Sequence, residues 1–272
     1  MLKINSKLGC KPLSLALLSV LLLGACQTGR APEANSAAQT EGQAPSFGSD
    51  IRFLKKHTDA VLLQRDQAAI VVVPEYQGRV MTTTASGLTG SSSGWINYDL
   101  IAQGILAKPA PDALENHIYA FGGEERFWLG PEGGQYSIFF APDTPFDFKH
   151  WSTPAAIDTT PWEVVKQSAD SLTVQHAFTL SNYSETNFKI SVTRRVDLLL
   201  PGQIEAALKI NIPLQCQTVA YQTTNTIQNK GPKAWINPLF PALRSGHRFF
   251  QRPSPQKQTP SNYKEVKVLN QK

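Results

Sequence analysis

The 272-residue chain carries 26 Lys and Arg against 21 Asp and Glu, a formal net charge of +5, and only three cysteines. That charge is unevenly spread: Lys3, Lys7 and Lys11 supply three units, residues 238–272 carry a net +6, and residues 26–237 are left at −4. An acidic body has no electrostatic basis for nucleic-acid binding, and the cysteines offer no disulfide framework.

Lys3, Lys7 and Lys11 precede an apolar run from Leu13 to Leu23, the n-region and h-region of a signal peptide over residues 1–25. The run is too short to cross a membrane as a helix. It ends in Leu23-Gly24-Ala25-Cys26, which resembles the lipobox of bacterial lipoproteins. That resemblance implies cleavage before Cys26, diacylglycerol on its sulfur and acylation of the new amino terminus; several acyl chains together anchor stably. Gln27 is not the aspartate associated with inner-membrane retention, so the implied location is the outer membrane, facing the periplasm. Residues 26–49, rich in Ala, Ser, Gln, Gly and Pro, are expected to form a flexible tether because they carry too few large apolar groups to build a core.

The folded body is expected over residues 50–237. Short β-branched runs at Ala60–Leu63, Ala69–Val73 and Val80–Thr84 predict strands, with Arg79 opening the third directly after a glycine turn. Ser86–Gly94 lacks the Gly-Lys-Ser/Thr ending of a phosphate loop and reads as a surface loop. Asn97–Leu106 predicts one short helix halted before Pro109. In Gly122–Gln135, glycines and Pro131 turn the backbone sharply and bring Glu124, Glu125, Arg126, Trp128 and Glu132 together, as in a loop that lines a site. A buried strand is expected after it, over Tyr136–Phe140. Trp151 and Trp162 are either core residues or stacking platforms for sugar rings.

Period-two alternation is clear further along. Leu172, Val174, His176, Phe178 and Leu180 share one face, Phe188, Ile190, Val192, Arg194, Val196 and Leu198 the next, and Ile204, Ala206, Leu208, Ile210 and Ile212 a third. Three such strands predict an antiparallel meander packed on a second layer. A hairpin turning near Tyr183–Glu185 sets His176 and Arg194 diagonally across neighbouring strands, both on the apolar face. A buried arginine needs a partner, so either a carboxylate stands opposite Arg194 or the face is a wet binding surface; a β-bulge that turns Arg194 outward is a third solution. Cys216, in an apolar run near Pro213 and Leu214, is expected to be a buried, inert thiol. Residues 217–228 read as Thr-rich strand. Residues 238–272, basic and Pro-rich, are expected to be disordered, and the abrupt change of character from about residue 237 predicts a frameshift or early gene end that leaves the body incomplete.

Gln77-Gly-Arg-Val-Met81, Gly94-Trp-Ile-Asn97, the long motif Gly122–Gln135, Trp151-Ser-Thr-Pro154 and Asn225-Thr-Ile-Gln-Asn229 together resemble a family of bacterial lipoproteins related to galactose mutarotase-like proteins, which include aldose 1-epimerases. The resemblance spans roughly residues 50–237. It implies an all-β fold, an antiparallel β-supersandwich whose concave sheet holds a sugar. Mutarotases work by paired proton transfers between a histidine acid and a glutamate base. Two positions depart from that pattern: Phe121 stands where a histidine precedes the Gly-Gly pair, and the late glutamate has no counterpart.

The expected function is that of a membrane-anchored envelope lipoprotein whose domain binds or modifies carbohydrate. Arg79, Glu124, Glu125, Arg126, Trp128 and Arg194 are the substrate-binding candidates, and Glu132 or His176 the base of any catalysis, in an aldose epimerase-like, lyase-like or other carbohydrate-active reaction. The alternative is a non-catalytic structural or partner-binding envelope lipoprotein. No cofactor and no metal are expected, because no His/Cys pair has ligand spacing and no acidic loop has calcium periodicity.

Overall fold

The described residues open on a capped helix. The Ser46 hydroxyl accepts from the Ser49 amide at 3.2 Å and starts α1 (Phe47–His57), which buries Phe47, Ile51 and Leu54 at the i, i+4, i+7 spacing of one helical face. The computed structural model describes residues 45–233, 244–245 and 262–269. The signal peptide, Cys26 and most of the tether lie outside these residues. Residues 46–49, assigned above to the tether, belong instead to the domain, because one fully buried phenylalanine outweighs the polar composition around it.

β1 (Val61–Arg65), β2 (Ala68–Val73) and β3 (Arg79–Thr84) form a three-stranded antiparallel sheet. Both faces of β2 are covered, which accounts for its unbroken apolar run Ala68-Ala-Ile-Val-Val-Val73. Ile70 and Val72 join one core with the larger sheet. Ala69, Val71 and Val73 join a second core with α1, with Leu100 and Ile101 of α2 (Tyr98–Gln103), and with Tyr119 and Phe121. Helix α2 lies within the stretch that predicted it and is capped by the Asn97 side chain.

β4 (Leu129–Gly130) pairs with β9 (Arg244–Ser245). The larger sheet has the order β10-β8-β7-β6-β5, from β5 (Glu163–Gln167), β6 (Ser171–Ser181), β7 (Asn187–Leu198), β8 (Tyr221–Asn229) and β10 (Asn262–Leu269). All its pairs are antiparallel except β8–β10. The inward residues of β6, β7 and β8 meet Leu63, Ile70, Val72 and Val80 of the smaller sheet in one core. The described protein is therefore β-rich with few helices. Among the described residues no helix is long and apolar enough to cross a membrane.

Four expectations are corrected. The run from Ile204 does not form a strand: Pro201–Leu208 is helix α3, opened by Pro201 and by the Gln203 side chain accepting from the Leu200 amide at 2.7 Å. Only Ile204 of that helix is buried, so the period-two pattern there was incidental and the helix-forming Gln203-Ile-Glu-Ala-Ala-Leu decided. Tyr136–Phe140 makes only a single bridge, Phe140 to Trp151, rather than a strand. Cys216 is exposed, beside the fully exposed Leu214, since the segment after α3 runs over the surface. Of the tail, expected to be disordered over 238–272, residues 262–269 instead supply β10 along the edge of β8 and residues 244–245 supply β9, while the rest of that expectation lies outside the described residues.

Candidate functional site

The glycine-rich segment docks along the free edge of β3. Val80 and Glu125 form an antiparallel bridge, with Val80 N donating to Glu125 O at 3.0 Å and Glu124 N to Val80 O at 2.8 Å. On its other side Gly122 bridges Ile96, and Gly123 N donates to Trp95 O at 2.7 Å. The segment is thus held between two backbones and its charged side chains have fixed directions.

Glu125 points at the larger sheet and meets Arg194. The β6–β7 register runs without a bulge, with Val174 opposite Arg194 and His176 opposite Val192, so Arg194 faces the core and His176 stands diagonal to it. Arg194 is 0% exposed. Its Nε donates to the Gly78 carbonyl at 3.0 Å, Nη1 to Asn225 Oδ1 at 3.0 Å and to Glu125 Oε1 at 3.3 Å, and Nη2 to Glu125 Oε2. Of the alternatives for this buried cation, the opposing carboxylate is the one found. The pair locks the loop, β3 and the large sheet together, and Arg194 has its donors engaged by the protein.

Around the corner of the same loop, Arg126 lies over the Trp128 ring, 4.4 Å from its centroid. Arg126 Nη2 donates to Asp158 Oδ1 at 3.1 Å and to the Ile157 carbonyl, while Asp158 Oδ2 accepts from the Tyr119 amide at 2.8 Å. Trp128 Nε1 donates to Glu132 Oε1 at 3.0 Å. From Trp128 an aromatic row continues through Phe139 and Trp151 to Phe148, which is 61% exposed. Trp151 is half-buried and also takes His117 Nδ1 on its carbonyl, whereas Trp162 is a core residue.

Arg79 is buried beneath the glycine pair, its Nη1 donating to Gly122 O at 2.8 Å and its guanidinium 5.7 Å from the Phe121 centroid. Burial, and then the neighbouring Arg126 charge, weaken its hold on a proton; Asp158, Tyr76 and Glu125 oppose that shift. Arg126 is shifted the same way by burial, with Asp158 in opposition. His176 has Phe178 at 5.3 Å and Trp162 at 6.1 Å as its ring neighbours, and burial lowers its pKa.

Glu124 has a different environment. Burial of its carboxyl pushes the pKa up to about 7 against the opposing hydrogen bond from Thr83 Oγ1 at 2.9 Å. A carboxyl whose folded pKa exceeds its unfolded one contributes stability below the unfolded value, and that contribution is lost as pH rises through the folded value. The domain is therefore expected to lose on the order of 2–3 kcal/mol between about pH 4.5 and 7 relative to Glu124→Gln, read from urea midpoints across that range. Parallel pH profiles for the two proteins would refute a buried Glu124 carboxyl.

Every side chain of this cluster falls inside residues 45–239, a span matched by a family model. The chain belongs to the family of unknown function DUF6786. No curated protein and no solved structure matches it. The DUF6786 domain thus brings Glu125 to Arg194, and Arg126, Trp128 and Glu132 to one another, with Arg79 close to Arg126. Asp158 and Asn225 were not among the candidate site residues, and Asn225 entered only as the first residue of a resemblance motif. Asn225 was within reach of the alternation rule, since Tyr221, Thr223, Asn225, Ile227 and Asn229 form the buried face of β8. Asp158 follows a short 3-10 turn and carried no periodic signal. Among the described residues no group of three His, Cys, Asp or Glu side chains is placed to hold a metal.

Proposed function

We propose that the DUF6786 domain belongs to an envelope lipoprotein, anchored through Cys26 in the outer membrane and facing the periplasm, and that it binds or modifies carbohydrate on a galactose mutarotase-like β-supersandwich. One observation carries the sugar reading: half-buried Trp128 has a guanidinium on its face and a carboxylate on its N–H, at the inner end of an aromatic row that reaches the surface at Phe148. The exposed aromatic end of that row, with polar groups of fixed direction at its inner end, suits a ring that has apolar faces and a hydroxyl rim. The lipobox and the two facing sheets support the rest of the reading. Any proton transfer of the epimerase kind would draw on Glu132 as base; His176 would need the substrate to span from Trp128 to the Trp162–Phe178 group.

A glycan panel read by thermal shift tests this on the full chain in detergent. One sugar class is expected to stabilise the protein, and Trp128→Ala and Glu132→Ala are each expected to weaken its binding about tenfold, some 1.4 kcal/mol. A flat response across the panel would instead support the partner-binding alternative.

A further inference from the structure

Arg79 presents an unused edge inside this cluster. It is 3% exposed, and while Nη1 donates to Gly122 O, Nε and Nη2 have no hydrogen-bond partner among the described residues. Those two nitrogens form one side of the planar guanidinium, with parallel N–H bonds, which is the edge arginine uses to grip a carboxylate through both oxygens. Arg126 also has an unpartnered Nε, its Nη2 being held by Ile157 O and Asp158.

The charges point the same way. Around Arg79 stand Arg126, Asp158, Glu125 and Tyr76, the last kept protonated by burial. Asp158 is engaged by Arg126 and by the Tyr119 amide, and Glu125 by Arg194. Asp158 and Glu125 thus already answer Arg126 and Arg194, and no carboxylate of the described residues meets the Nε–Nη2 edge of Arg79. A buried cation with unsatisfied donors is costly, and a single anion with two coplanar oxygens would offset both the charge and the donors.

Gly122 and Gly123 are partly exposed; Gly122 O accepts from Arg79 Nη1, and a Cβ on Gly123 would sit 2.9 Å from Arg79 Cδ. Trp95, 51% exposed, rests its ring against Gly122.

We infer that the Arg79 edge is the carboxylate subsite of the carbohydrate site proposed above, so that the ligand is an acidic sugar, a hexuronate or a glycan that carries one. The inference rests on that carbohydrate reading and adds the ligand's charge to it. Calorimetric titration of the full chain with galacturonate and glucuronate, beside galactose, glucose and acetate, tests both. Each uronate is expected to bind at least tenfold more tightly than its neutral parent, with an advantage that shrinks as salt rises and disappears in Arg79→Gln and in Arg79→Lys, which keeps the charge but not the fork. Equal affinity for uronates and neutral sugars overturns the acidic-sugar inference and leaves the carbohydrate reading standing. Acetate binding as tightly as the uronates overturns both and leaves only an anion site, and silence to every compound also overturns both. The wild-type comparison needs no variant, so it decides even where Arg79→Gln fails to fold.

Discussion

Glu125→Ala is expected to lower the stability of the domain by about 3–5 kcal/mol, because it strands a guanidinium with no exposure to solvent. In a body of this size that corresponds to a fall in Tm of roughly 6–20 °C. The loss arises from the unpaired charge rather than from the net worth of the pair. The double variant Glu125→Leu with Arg194→Met should therefore recover most of it, and urea denaturation of the two singles and the double closes the cycle. A cost below about 1 kcal/mol for Glu125→Ala would mean that the Arg194 ion pair is solvated and does not tie the loop to the sheet. Asn225→Ala removes one of the Arg194 acceptors and should cost less, about 1–3 kcal/mol, since Gly78 O and Glu125 remain.

The second large effect is expected at Gly122. Its φ is +91°, and a Cβ there would lie 2.2 Å from the Trp95 carbonyl oxygen. The obstructing atom is backbone, so no side-chain rotation relieves the contact. Gly122→Ala should cost at least about 3 kcal/mol, combining left-handed strain of about 1–3 kcal/mol with the loss of the Ile96 bridge. It should also weaken binding of the proposed sugar, because the Gly122 carbonyl that orients Arg79 moves with the loop. Gly133→Ala is the control: nothing lies within 4 Å of its Cβ position, and its variant should stay within about 0.5 kcal/mol of the parent. Chemical denaturation of both variants checks the contrast, and equal stability would mean that the Gly122 segment is not clamped between Trp95 and Val80.

Much of the sheet was legible because alternation is a local property. β6 and β7 could be read residue by residue, and with them the inward turn of Arg194 and the diagonal placement of His176. Alternation misled at Ile204, where burial of only one residue left helix propensity free to decide, and at Tyr136–Phe140, where apolar residues pack in an irregular segment. The loop charges were identifiable as a group, but not how they divide. Glu125 turns to Arg194 while Glu124 turns to Thr83, and that choice depends on which edge of β3 the segment docks against.

By itself the amino-acid sequence determined the β-rich character of the body, the register of its long hairpin, the glycine-dependent turns of the 122–134 segment, and the presence of more charge there than a buried loop can carry without partners. Those features follow from spacing between near neighbours along the chain. Only the tertiary structure decided which partner each charge received: Glu125 for Arg194 across 69 positions, Asp158 for Arg126 across 32, and for Arg79 a carbonyl on one nitrogen with its bidentate edge unmatched among the described residues. The physical reason is that Coulomb attraction and hydrogen bonding act between groups a few ångströms apart in space, and separations of that length along the chain are set by how the two sheets face each other.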